Sequence, residues 1–267
     1  MNITLLMNHD IASNIALNAL VTALGEHRLT VFVSAKHGTS GPVPLALQHL
    51  RFVEQGLFND LLFPLLGHCD IDGELSGFEH LWQRIGRPIR PLNRINSPEG
   101  LAALRDSAPD LIVSMRYGGF LKEEAIAVPR FGVINLHAGL LPGYRGLMAT
   151  FWSMLHGERE YGCTLHYILD TGVDTGPVIS QRRLSVEPRR SYLWHVLNLY
   201  PHATAMVAEA IAQIERTGSA PSAAQGGAGE YYSLPGAEEL MRFEAAGLRL
   251  VDAEDILSLA QRYTGCE

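Results

Sequence analysis

No apolar run in the 267 residues approaches the roughly 20 needed to carry a helix across a bilayer, so no membrane partner is expected. The opening Met1-Asn2-Ile3-Thr4-Leu5-Leu6-Met7 has no basic region and no small-residue cleavage site, and reads as a strand, not a secretory signal. Cysteine is scarce. Cys69, Cys163 and Cys266 are scattered and odd in number, which excludes a disulfide framework and points to a reducing compartment, the cytoplasm. Neither a CxxC nor an HExxH pattern occurs, so no metal site is expected. Charged residues make up only 18% of the chain against 47% apolar, the balance of a globular protein and far from disorder. The net charge is −7 with no long Lys/Arg stripe, so a polyanion is not expected to be held by the global field.

What is present alternates. Ile3–Met7 reads as a strand, residues 11–24 as a helix through Ile15, Ala16, Ala19, Leu20, Ala23 and Leu24, and Leu29–Val33 as a second strand. Residues 45–66 read as a packed excursion of two helical stretches. Ser97-Pro98-Glu99 starts a helix, with Ser at the N-cap and Pro at the first turn. Leu111–Ser114 and Phe131–Leu136 are further strands, Cys163–Leu169 and Val178–Val186 a later strand pair, and 191–216 a long helix. The class expected is α/β: a doubly wound, mostly parallel sheet with a short C-terminal helical appendage. The domain reading is a catalytic domain over 1–218, a Gly/Ala/Ser-rich linker over 219–229, and an extension over 230–267 with helices near 237–246 and 253–263.

One constellation carries chemistry. Asn135-Leu136-His137-Ala138-Gly139-Leu140-Leu141-Pro142-Gly143-Tyr144-Arg145-Gly146 follows the strand Phe131–Ile134, and Asp170-Thr171-Gly172-Val173-Asp174-Thr175-Gly176-Pro177 answers it downstream. Asn135 and His137 are two apart and leave the strand on one face. Each has an ordinary reading alone: His137 as a hydrogen-bonded strand-end histidine, Asn135 as a turn former, Asp174 as a turn cap. Together, a neutral donor, an imidazole and an acid on Gly-flanked loops suit acyl transfer, because a neutral amide serves a developing oxyanion without burying an ion.

These segments resemble the 10-formyltetrahydrofolate-dependent formyltransferases, the group of glycinamide ribonucleotide, methionyl-tRNA and amino-sugar enzymes. The resemblance runs from the N-terminus to about residue 205 and is strongest over 110–185. It implies the catalytic residues Asn135, His137 and Asp174, with Asp170 a rival to Asp174 because the acidic loop is one residue longer than in close relatives. It also implies direct transfer of formyl from N10 of 10-formyltetrahydrofolate to an acceptor amine. Asn135 and protonated His137 would stabilise the oxyanion, and Asp174 would orient His137 and help remove the amine proton. Ser114–Leu121 would line the pterin site, with Met115, Arg116, Tyr117, Gly118 and Leu121 as contacts, and Leu169, Asp170 and Thr171 completing the wall.

The acceptor is read more thinly. His9–Asn14 opens a helix where a substrate phosphate could bind, but no Gly stands between Asn8 and Asn18, which weakens a ribonucleotide; an ordinary N-capped helix is the favoured reading. The tRNA-formylating relatives carry a C-terminal barrel of about a hundred residues, longer than the stretch after the catalytic domain here. The expected partner is therefore a small-molecule amine, an amino sugar nucleotide or a modified amino acid, and not tRNA. Glu230–Pro235 either closes over the acceptor site or packs on the domain. The tail is open to a role as a lid or as the contact of a homodimer. Two rivals stand: a formyltetrahydrofolate hydrolase using the same three residues, and a catalytically silent folate-binding module.

Overall fold

The computed structural model describes residues 1–35, 43–66, 73–227 and 229–265. Cys69, Cys266 and Ala228 of the expected linker lie outside the described residues. The N-terminal half alternates strands and helices in the expected order: β1 (Asn2–Asn8), α1 (Ile11–Ala23), β2 (Arg28–Ser34), α2 (Leu45–Arg51), a π-wound stretch (Phe52–Leu62), α3 (Phe63–Leu66), α4 (Phe78–Ile85), β3 (Arg90–Pro91), α5 (Pro98–Asp106), β4 (Leu111–Met115), α6 (Glu123–Ile126) and β5 (Val133–His137). The remainder is β6 (Arg145–Gly146), α7 (Ala149–Leu155), β7 (Glu160–Ile168), β8 (Val178–Ser185), α8 (Tyr192–Thr217), β9 (Tyr231–Tyr232), α9 (Ala237–Ala245) and α10 (Ala253–Thr264).

Seven strands form one sheet in the order β3-β2-β1-β4-β5-β7-β8. The first five run parallel, β7 runs antiparallel to β5, and β8 runs antiparallel to β7. Strand parity sorts the side chains into two cores. Ile3, Leu5, Met7, Val113, Met115, Ile134 and Leu136 join the core under α1, α7 and α8, while Leu6, Ile112 and Val133 join the smaller core under α5 and α6. Burial on both faces is why these strands read as continuous apolar runs. Ser97 caps α5 as expected, its Oγ accepting from Gly100 N at 3.1 Å.

Residues 45–66 form one uninterrupted helical rod with a π-wound middle, where two separate stretches were expected. The apolar periodicity cannot distinguish a wide turn from a break, since both shift the register of the buried face. The segment after α8 is pinned across the site. Ala223 and Val178 exchange backbone hydrogen bonds at 2.7 and 2.9 Å, and Gln225 Nε2 donates to the carbonyls of Asp174 and Gly176, both at 2.8 Å. Farther on, Phe243 of α9 stacks on Phe151, and the carbonyls of Arg249 and Leu250 accept from the first N–H groups of α8. Among the described residues no helix is long and apolar enough to cross a membrane.

Candidate active site

The site forms where β5 ends. Asn135 and His137 share the parity of Val133, so both leave the sheet on the side of the smaller core. Antiparallel pairing sets His166 of β7 opposite Asn135, and Asn135 Nδ2 lies 3.1 Å from His166 Nε2. The loop between β7 and β8 then brings Asp174 back over both imidazoles: Oδ2 is 3.4 Å from His137 Nδ1, and Oδ1 is 3.4 Å from His166 Nε2. His166 is the residue the sequence reading missed. It sits in mid-strand with no motif of its own, and the only signal for it is the register between β5 and β7.

Hydrogen bonding fixes the rings. His137 Nε2–H donates to the Tyr144 carbonyl at 2.6 Å, and His166 Nδ1–H donates to the Tyr167 carbonyl at 2.9 Å. The second nitrogen of each ring therefore faces the carboxylate. For His137 both nitrogens lie beside oxygen atoms, the Tyr144 carbonyl at Nε2 and the Asp174 carboxylate at Nδ1. Burial pushes the Asp174 carboxyl up, but the charge of His137, the hydrogen bond from His166 and the Gly146 N–H (2.9 Å) outweigh it and hold the group down at about 2.

The loops are shaped by close approach. Asp174 itself adopts φ of 54°, a left-handed value that Asp tolerates better than most residues. A Cβ on Gly139 would stand 2.5 Å from both His137 Nε2 and the Ala149 methyl, so only glycine lets the ring lie where it does.

These groups open into a cavity of about 360 Å³, within the range of small-molecule sites. Arg116, Tyr117, Gly118, Leu121, Asp170 and Thr171 line it beside Asn135, His137 and Asp174. Two of the expected wall residues do not. Met115 is 1% exposed and packs in the larger core, because strand parity puts it with Leu111 and Val113. Leu169 is 64% exposed and stands in solvent. Asp170 turns its Oδ1 to the N–H of Gly172 at 2.7 Å, which leaves Asp174 as the acid at the imidazoles. Arg116 lines the cavity with its guanidinium turned to Asp10 (2.8 Å) and Glu54 (3.2 Å). The pair Tyr231-Tyr232 divides the two roles weighed for it. Tyr231 lines the cavity, and Tyr232 stacks on Tyr144 at 5.5 Å.

Residues 90–193 match the family model described as formyl transferase. A methionyl-tRNA formyltransferase of Geobacter metallireducens is 39% identical over 103 residues, covering 39% of this chain and 33% of that protein. Another, from a Synechococcus species, is 35% identical over 137 residues, covering 51% of this chain and 42% of its own length. The matches thus span a third to two fifths of these relatives. An N-formyltransferase from Helicobacter canadensis, solved with folinic acid and dTDP-3-aminofucose, superposes with a TM-score of 0.57 at 18% identity, over 88% of this chain and 71% of that one. That likeness establishes the fold.

The relatives correct one expectation. A small-molecule amine was expected as partner and tRNA was not, yet the curated relatives are methionyl-tRNA formyltransferases. Net charge misleads physically, because −7 sums the whole surface while phosphates are met by local groups. Nor can a barrel be judged from where the sequence stops. Residues 90–193 thus match the formyl transferase family model, and the methionyl-tRNA formyltransferases named above are similar to this chain over part of their length.

Proposed function

We propose that the protein is an N-formyltransferase that moves the formyl group of 10-formyltetrahydrofolate onto a primary amine. The observation that carries this reading is the Asn135–His137–His166–Asp174 cluster, neutral donor, imidazoles and ionised acid, open to a cavity large enough for a flat heterocycle. The fit to the folate is physical. Gly118 and Gly119 give bare backbone on one wall, Tyr117 and Leu121 give apolar surface, and Asp170 and Thr171 give polar groups on the opposite loop.

In this reading the folate supplies the formyl group, and the chain supplies positioning and charge. Asn135 donates to the formyl oxygen as negative charge develops on it, a contribution of about 2.7–4 kcal/mol for one such donor. His137, anchored by the Tyr144 carbonyl, holds its second proton between the oxygen and Asp174. Asp174, ionised in the resting site, keeps that ring oriented, and the proton lost by the attacking amine would pass to N10 as the C–N10 bond breaks and tetrahydrofolate leaves. The relatives make methionyl-tRNA the acceptor to test first.

The test is a melting curve with folinic acid. At about 100-fold over its dissociation constant, linkage gives about 2.7 kcal/mol, a rise of about 5–10 °C for a chain of this size. No rise at any soluble concentration would end the folate reading.

A further inference from the structure

Three local irregularities meet on the wall of the cavity away from the histidines. Arg116 follows β4 with φ of 57°, a left-handed value that arginine seldom adopts. Glu54 stands in the π-wound stretch, and such wide turns gather at functional sites. Asp10 caps α1, its Oδ1 accepting from Ser13 N at 2.8 Å. Their side chains converge: Arg116 Nε donates to Asp10 Oδ2 at 2.8 Å, and a terminal nitrogen of Arg116 donates to Glu54 Oε1 at 3.2 Å.

The position matters. β1 and β4 are adjacent, and the chain order departs from them in opposite directions, so the Asp10–Arg116 pair spans the switch point of the sheet, where doubly wound folds bind ligands. The last registered pair between β4 and β5 is Met115–Leu136, and Arg116 and His137 each stand one residue beyond it. The cluster is therefore a neighbour of the reacting centre.

Its charges and hydrogen bonds are unevenly spent. Asp10 is 1% exposed with both oxygens engaged. Its carboxylate fills the N-terminus of α1, the place where a phosphate would otherwise be taken. Glu54 gives Oε1 to Arg116, while among the described residues its Oε2 has no hydrogen-bond partner, and Glu54 lines the cavity. Thr150, on the same lining and 2% exposed, has an Oγ1 with no partner among the described residues. Burial pushes Glu54 up to about 7 against the pull of Arg116, so a nearby cation has a carboxyl to ionise at neutral pH. Two carboxylates around one guanidinium, with a carboxyl oxygen and, elsewhere on the same cavity lining, a hydroxyl that lack partners among the described residues, call for a donor-rich cation. A primary ammonium has three N–H donors and one positive charge.

We propose that Glu54, held in place by Arg116, and Thr150 form the acceptor-recognition site and take a primary ammonium group of the acceptor. Describing that ligand as the acceptor rests on the transferase reading; the ammonium site itself rests on the geometry. Exposed Arg51 on the rim is the cation that would favour an anionic ligand instead, and the test includes that arm.

Saturation-transfer NMR on the full chain, loaded with folinic acid, compares propylammonium chloride with sodium propionate as matched probes. Propylammonium should bind in preference, and Glu54→Gln, which keeps an oxygen for Arg116, should weaken it at least about tenfold, as expected for loss of a charge-assisted bond. Thr150→Val should weaken it less. Binding of propionate as good or better, or propylammonium binding that survives in Glu54→Gln, overturns the proposal. If Glu54→Gln does not fold, survival in Thr150→Val with full affinity overturns the part assigned to that hydroxyl. Failure of folinic acid to raise the melting temperature counts against the transferase reading instead, and the same probes on the unloaded chain still decide the ammonium site.

Discussion

Two charged clusters meet the same cavity and are assembled in opposite ways. His137, His166 and Asp174 come from adjacent strands and the loop that joins β7 to β8, with contacts of 3.4 Å around an acid held at about 2. Asp10, Glu54 and Arg116 come from three distant segments, with contacts of 2.8 and 3.2 Å around an acid pushed up to about 7. In the first cluster two imidazoles face one acid, and the carboxylate is held low. In the second, acids outnumber the cation, and among the described residues one oxygen of Glu54 has no hydrogen-bond partner. In the proposed reading the contrast separates a reacting centre, which would keep its charges fixed, from a recognition site, whose charge would be completed by the ligand.

The largest effect that can break this division is on turnover. Asn135→Ala and His137→Ala should each lower single-turnover formyl transfer by about 10²–10³-fold while folinic acid affinity stays within about threefold. Glu54→Gln should act instead through the apparent affinity for the amine. Single-turnover rates and folinic acid titrations on the three variants check this. Equal losses of folate affinity in all three would erase the distinction.

The acids should also respond to pH with opposite signs. Asp174 is lower in the folded chain than its ordinary 3.8, so the folded state favours the ionised form. Its contribution, about 2 kcal/mol, is complete above the unfolded value and is lost as pH falls from about 4 towards 2. Asp174→Asn should remove that part of the acid sensitivity in urea unfolding curves. Glu54 is raised from 4.5 to about 7, so the folded chain keeps a proton that the unfolded chain releases. Wild-type stability should therefore fall as pH rises from about 4.5 to about 7, and Glu54→Gln should flatten that slope.

The smallest effect is expected at Gln225, which meets the first cluster only through the backbone of Asp174. Its amide spans the carbonyls of Asp174 and Gly176 at 2.8 Å each. Gln225→Ala should cost about 1–2 kcal/mol of stability by chemical denaturation, with a modest loss of turnover as the acidic loop loosens.

The same contrast explains what could be read from the chain. Asn135 and His137 were legible because strand periodicity puts residues two apart on one face, and the Gly/Pro loops mark where strands end. The parallel sheet was legible because buried strands read as apolar runs between helical periods. His166 was not, since its role depends on which residue of β5 it faces, a matter of register. Met115 was assigned to the cavity wall although alternation along β4 turns it to the core with Leu111 and Val113. The Asp10–Arg116–Glu54 cluster leaves no local trace, because each member alone looks like a cap, a loop cation or a helix-surface acid. The linker composition of 219–229 gave no hint of the hydrogen bonds by which Ala223 and Gln225 tie that segment to the acidic loop.

The central claim is tested most directly by measuring tetrahydrofolate release from 10-formyltetrahydrofolate with and without an amine acceptor, methionyl-tRNA first and a nucleotide-linked amino sugar second. Release should depend on the amine, with the formyl group recovered on nitrogen and the rate collapsing in His137→Ala. Release of free formate at the same rate without any amine, or no release with any amine by a chain that binds folinic acid, would contradict it.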